Sequence, residues 1–281
     1  MNYNKKFRVK ARHRIKLANI DPNFCDDRES ESAAKAEIEA YREKLQRLQF
    51  LMYAEDKHSL LICLQAMDAA GKDGTIQHVI GAMNPQSCVV HAFKAPSVED
   101  ASHDFLWRVH KAVGPRGTVT IFNRSQYEDV LVTRVHHLVP KKVWRQRFAQ
   151  INAFEKELAD NGSLILKFFL HISKDEQLRR FKQRLDDPTK QWKISESDYR
   201  EREFWNDYID AYEDVLKECS TDYAPWFVIP SNHKWFRNLA VSQIIVEHLE
   251  ALEMKFPKPA VDLKQIERKY HHAAEQKAKK N

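Results

Sequence analysis

Cysteine is scarce in this chain of 281 residues: four are present, at 25, 63, 88 and 219, with no C-x-x-C pair among them. Scattered in this way they read as reduced thiols, and Cys63 and Cys88 fall in predicted strands, where a free cysteine behaves as a small apolar residue. Long apolar runs are missing as well. No stretch approaches the length of a membrane helix, and the N-terminal Met-Asn-Tyr-Asn-Lys-Lys-Phe-Arg has no apolar core of the signal-peptide kind. A cytoplasmic location without membrane contact is therefore expected. Glycine is rare, six in all, so two of them at 71 and 74 within one four-residue window carry information. Neither sign of charge dominates: 46 basic against 40 acidic residues leave a net +6. So small an excess describes an ordinary solvated surface, or a polyanion-binding one if the basic residues share a face.

What the chain does have is 43% hydrophobic residues, enough for a sizeable core, and a length that suits one large α/β domain or two small ones. The stretch from Leu60 to Thr75, LLICLQAMDAAGKDGT, organises the rest. Its continuous apolar start predicts a strand buried on both faces of a parallel sheet. A turn with glycines at 71 and 74 follows, with Lys72 between them and an amphipathic helix beginning near Thr75. Strand, glycine-bearing turn and helix start together make a phosphate cradle from Ala69, Ala70, Gly71, Lys72, Asp73, Gly74 and Thr75. The match to G-x-x-x-x-G-K-[ST] is imperfect: Ala66 replaces the first glycine and Asp73 the hydroxyl residue that would hold Mg²⁺. Asp68 is then the nearest oxygen ligand for a metal. A generic strand-to-helix turn is the plain alternative.

Along the chain, a basic arm over 1–30 reads as extended or disordered. A helix is predicted over 31–53, with Ile38, Tyr41, Leu45, Leu48 and Met52 at helical spacing. Further strands are predicted at 87–93, 118–122, 163–172 and 226–229. Helices are predicted from 75 to near 81, over 98–113, from 129 toward 135, and over 141–159, 174–185, 198–219 and 235–254. A charged, loosely held tail follows from 255. Five short strands alternating with helices define an α/β fold with a mainly parallel sheet, in one domain over 31–255. Such sheets bind ligands beyond the carboxyl ends of their strands, where strand order reverses. The 66–74 loop, the Asn123 turn and the segment after His171 all open at that edge.

Two further groups of residues bear on chemistry. In Thr120-Ile-Phe-Asn123-Arg124-Ser-Gln-Tyr-Glu128-Asp129, Arg124 is placed to hold a phosphate bidentately, and Asn123 and Glu128 to position a metal, water or acceptor. Helix capping by Asn or Ser is the alternative there. The second group is basic: Arg179, Arg180, Lys182, Arg184, Lys190 and Lys193, a segment able to close over phosphates and neutralise charge during transfer. A solvated helix face is the alternative, and spacing does not choose among Arg179, Arg180 and Arg184. Lys94, after the second strand, would flank the groove. His103 and His110 read as structural, and Phe204, Trp205, Tyr208 and Tyr212 as core.

AMDAAGKDGT at 66–75, IFNRSQYEDVLV at 121–132 and LKFFLHISKDEQ at 166–177 closely resemble the type 2 polyphosphate kinase family. DPTKQWK at 187–193 and APW at 224–226 also resemble it, and the resemblance runs over about 30–255. It implies a P-loop kinase-like three-layer fold with a five-stranded sheet and a helical lid over about 179–198. It also implies Mg²⁺-dependent, reversible phosphoryl transfer between inorganic polyphosphate and AMP, ADP or ATP, with guanine nucleotides left open. In that light Asp68 is the acid that organises Mg²⁺, Lys72 the phosphate-binding lysine, Arg124 the arginine of the Walker B-like segment, and 179–193 the lid. Many members carry Asp at the position of Asn123 and Asn at that of Glu128. The Asn/Glu pair here resembles class III members, which act on both nucleoside monophosphates and diphosphates, and it leaves Asn123 without the charge of a metal ligand. Members are often dimers or tetramers, so a homo-oligomer is expected. An ATP-dependent kinase using the same loop, and a non-catalytic binder of polyanions or nucleic acid, are the competing readings. The paired acid and lysine of the loop argue against the binder.

Overall fold

The computed structural model describes residues 1–26 and 30–278. Its main elements in chain order are α1 (Tyr3–Phe7), α2 (Glu31–Glu55), β1 (Ser59–Ala66), α3 (Lys72–His78), β2 (Cys88–Ala92), α4 (Val98–Ser102), α5 (Trp107–Ala112), β3 (Val119–Asn123) and α6 (Val132–Val135). They continue with α7 (Lys141–Asp160), β4 (Ser163–His171), α8 (Lys174–Asp186), α9 (Glu196–Glu203), α10 (Trp205–Cys219), β5 (Trp226–Pro230), α11 (Lys234–Glu250) and α12 (Leu263–Ala278). None of the described helices is long and apolar enough to cross a membrane.

The strands form one five-stranded sheet in the order β2-β3-β1-β4-β5, and every pairing is parallel. β1 is central and buried at each position, which is why its sequence runs apolar without alternation. Its side chains still divide by parity. Leu61 and Cys63 pack with Val109, Ala112 and Phe154, whereas Leu60, Ile62 and Leu64 belong to the larger core with Leu45, Met52, Leu239 and Ile244. Helices therefore cover both faces in three layers. The chain visits β2 and β3 on one side of β1 and then crosses to β4 on the other. That reversal opens a crevice beyond the carboxyl end of β1.

Beneath the sheet lies a charged pair with no exposure, Lys167 of β4 and Glu155 of α7. Lys167 Nζ donates to Glu155 Oε2 (2.5 Å), Tyr127 Oη (2.9 Å) and the Cys219 carbonyl (2.7 Å). Glu155 Oε1 accepts from Tyr127 Oη (2.8 Å) and Gln126 Nε2 (3.0 Å). Such a pair is tolerated only when its remaining hydrogen bonds are made. Here the arrangement fastens the 3-10 turn Gln126–Asp129, which carries Glu128 to the sheet edge.

Four expectations from the sequence are corrected. The arm over 1–30 is not extended or disordered where it is described. Tyr3 and Phe7, one helical turn apart, bury against Phe24 and Phe236 as an aromatic cluster. Arg8 bridges antiparallel to Phe227 and the Val9 N–H donates to the Trp226 carbonyl (2.9 Å), so the arm covers the open edge of β5. The helix predicted over 98–113 is two short ones, interrupted where Asp104 Oδ1 accepts from the Leu106 N–H and starts a new turn. The helix predicted over 198–219 breaks at Phe204, separating a short helix without buried residues (α9) from a core helix (α10). The tail expected to hang loosely from 255 forms α12, with the side chains of 255–274 exposed.

Candidate active site

The loop between β1 and α3 is shaped from behind. Ala69 (φ 62°) and Gly71 (φ 109°) both take left-handed backbone, unusual for alanine and natural for glycine. Arg180 of α8 uses all five of its N–H groups: Nε to Glu176 (2.6 Å), Nη1 to the Ala69 and Ala70 carbonyls (2.9 and 2.8 Å), Nη2 to those of Ser231 and Asn232 (2.6 and 3.1 Å). In a trans peptide the C=O and the following N–H point opposite ways. Turning the Ala70 carbonyl back toward Arg180 therefore turns the Gly71 N–H away from that guanidinium. Arg237 of α11, 2% exposed, lies in the same place. A Cβ on Gly71 would sit 1.8 Å from its Nη1, and one on Gly74 3.0 Å from its Nη2. Glycine at both positions is what lets the loop lie on this guanidinium.

In front of the loop, Lys72 folds back with its Nζ 3.3 Å from the Ala66 carbonyl. Burial pushes its pKa down, against the pull of Asp68. Arg124 leaves the end of β3 with φ 62°, its N–H still donating to the Leu64 carbonyl (3.1 Å), and this left-handed step points it at the loop. Its Nη2 is 3.2 Å from Asp68 Oδ1. Burial opposes the Arg124 charge, but Glu128 and Asp68 outweigh it and raise its pKa. Burial pushes the half-buried Glu128 carboxyl above its ordinary value, with Arg124 and Lys72 pulling the other way. Asp68, Arg124 and Glu128 line a cavity of about 320 Å³ whose far wall is Gln177, Glu201, Tyr208 and Tyr212. A strained arginine and a loop acid on the cavity wall, with a lysine of lowered pKa in the same loop, form a charge-rich site suited to phosphate groups.

Of the residues expected at the site, the structure brings Asp68, Lys72, Arg124 and Glu128 together. Asn123 joins through its Nδ2, which donates to Asp73 Oδ1 (3.0 Å). Thr75 is buried, its hydroxyl donating to the Gly71 carbonyl (3.2 Å), so it braces the loop from within. Lys94 is exposed at the end of β2, beside Asn123 through the Phe93 N–H. Lys193 reaches Asp73 (3.7 Å) and so links the lid to the loop, while Arg184 holds the Lys193 carbonyl (2.9 Å) and Lys190 pairs with Asp187 (2.5 Å). Arg179 is exposed and paired with Glu176 through two bonds (2.6 and 2.7 Å). Arg180 is the correction. It is committed to carbonyls behind the loop, so it shapes the cradle and is not free to grip phosphate.

Tyr208 also departs from the core role read for it. It is half-buried on the cavity wall, its hydroxyl donating to Glu201 (2.8 Å), which also faces His136 (3.0 Å). His103 and His110, both exposed, pack on Trp107 and Phe154 with ring centroids 3.9 and 4.6 Å apart. Arg237, Gln177 and Glu201 were missed. For Arg237 the usable signal was its place in His233-Lys-Trp-Phe-Arg-Asn238, directly after the last strand and thus at the ligand-binding edge. Among the described residues no group of three His, Cys, Asp or Glu side chains is arranged to hold a metal.

Fold and site together define a phosphotransferase of three-layer α/β architecture built on a parallel sheet. The family model described as Polyphosphate kinase 2 (PPK2) matches residues 28–257, and the chain belongs to that family. It is 49% identical over 258 residues to the AMP/ADP-polyphosphate phosphotransferase of Meiothermus ruber, covering 91% of this chain and 96% of the relative. It is 43% identical over 269 residues to the ADP-polyphosphate phosphotransferase of Rhodopseudomonas palustris, covering 90% and 92%. Among solved structures, polyphosphate kinase 2 from Arthrobacter aurescens superposes with a TM-score of 0.89 at 42% identity, over 94% of this chain and 98% of that one.

Proposed function

We propose that this protein moves the terminal phosphoryl group of inorganic polyphosphate onto AMP and ADP, reversibly, giving ADP and ATP. The observation that carries the reading is the pairing of Asp68 and Arg124 on the wall of one cavity at the end of the central strand, with Lys72 in the adjoining loop folded back to the Ala66 carbonyl. The names of the relatives support polyphosphate as donor over the ATP-dependent alternative. In this reading Lys72 and the loop amides hold the donor phosphates, and Arg124 steadies the group in transit. Lys193, Arg179 and Lys94 supply positive charge at the rim. Glu128, with Asn123, places the acceptor in the cavity walled by Tyr208 and Glu201. Asp68 would hold Mg²⁺ together with the substrate phosphates, and the ion would neutralise charge on the transferring group. Positioning and charge carry the reaction, since phosphoryl transfer asks for little covalent chemistry from the protein. Guanine nucleotides as further acceptors, and a dimeric or tetrameric assembly, belong to the same proposal. The direct check is chromatography of purified protein with Mg²⁺, AMP or ADP, and polyphosphate as sole donor. ADP and ATP should accumulate, and a blank chromatogram overturns the reading.

The raised Glu128 carboxyl gives this reading a pH signature. Its ionised form balances Arg124 and Lys72, so kcat/KM should fall as pH drops through a value above the ordinary 4.5 of glutamate. In Glu128→Gln that acid limb should disappear or move down. A limb left unchanged by the substitution would assign it to another group.

A further inference from the structure

We propose that Arg237 is a positioning residue for the donor phosphates, a buried cation whose counter-charge is the phosphate gripped on the opposite side of the loop. This rests on the polyphosphate-donor reading above. Among the described residues Arg237 has no carboxylate partner. Its Nε and Nη2 donate to Asn238 Oδ1 (3.1 and 2.8 Å), and its only reach to the loop carbonyls is Nη1 to Ala70 at 3.4 Å. Arg180 already holds that carbonyl at 2.8 Å, so the loop's shape does not need a second donor there.

An unpaired buried charge is expensive, and an apolar side chain of similar volume would pack at lower cost. The arrangement nevertheless brings the guanidinium as near the loop backbone as geometry allows, with glycine at both facing positions. Burial and neighbouring Arg180 push Arg237 down to about 9, as expected for a cation awaiting an anion. The neighbourhood is positive overall. Lys234 is also pushed down by burial, with Arg180 and Arg237 adding to it, and Glu176 is committed to Arg179 and Arg180. A phosphate in front of Gly71 would lie across one peptide layer from Arg237, where little water screens the attraction.

Asn238→Asp tests this by charge with almost no change of shape, because the new carboxylate pairs with the guanidinium where the amide oxygen already stands. The binding of tripolyphosphate without nucleotide is measured by calorimetry, alongside thermal melting and steady-state kinetics. Asn238→Asp should melt no lower than wild type and bind tripolyphosphate about tenfold or more weakly, the size expected of one charge acting across a partly dry layer. KM for polyphosphate should rise in step while KM for AMP holds. Arg237→Met should show the same split, and Arg237→Lys should recover part of the affinity. If Arg237→Met does not fold, Asn238→Asp decides alone. Wild-type affinity in a folded Asn238→Asp overturns the proposal and assigns Arg237 to structure. A wild-type chain that fails to bind tripolyphosphate overturns the donor reading itself.

Discussion

Lys72→Ala is expected to lower kcat/KM for polyphosphate by on the order of 10²- to 10³-fold, the usual effect of removing one preorganised contact to developing charge. Its melting temperature should barely change. In the folded protein Lys72 gives one long bond to the Ala66 carbonyl, and its charge is held there against burial. Removing it relieves a desolvated ammonium and leaves Arg180, which holds the loop's carbonyls, untouched. Steady-state rates over a polyphosphate titration, set beside a thermal melt, separate the two effects. Near wild-type turnover in a folded Lys72→Ala protein would remove the loop from the reaction.

Asp68→Asn is the second large effect, and its logic is different. The amide keeps an oxygen for Arg124 Nη2, so the 3.2 Å contact survives and the fold should hold. The negative charge does not survive, and with it goes the loop carboxylate proposed to share Mg²⁺ with substrate phosphates. The rate should fall by on the order of 10²- to 10³-fold, and the Mg²⁺ concentration giving half-maximal rate should rise. Initial rates across a Mg²⁺ series check both. A variant with unchanged Mg²⁺ demand would show that Asp68 serves only to orient Arg124.

The central strand and its loop were legible because two strong local signals coincide. An uninterrupted apolar run needs burial on both faces, and two of the few glycines fall within four residues. Asp68, Lys72 and Arg124 follow from that frame and from the family resemblance. Arg180 was half legible: helical spacing gives it a face of α8 but does not say whether that face turns to solvent or to the back of the loop. The N-terminal arm was hidden by composition, since its lysines and arginines mask Tyr3 and Phe7, two aromatic side chains too few to register as a period. Arg237 was least legible. Its partners, Ala70, Gly71 and Gly74, lie far away along the chain, and no pattern local to α11 distinguishes a buried arginine from an exposed one.

The bond from Arg237 to the Ala70 carbonyl spans 167 positions of sequence. During synthesis the cradle therefore leaves the ribosome long before the side chain that backs it. A nascent chain stopped ahead of β5 has β1 and its glycines but neither this guanidinium nor the Ser231 and Asn232 carbonyls that anchor Arg180. The backing of the loop thus arrives late, with the last strand and the helix that follows it.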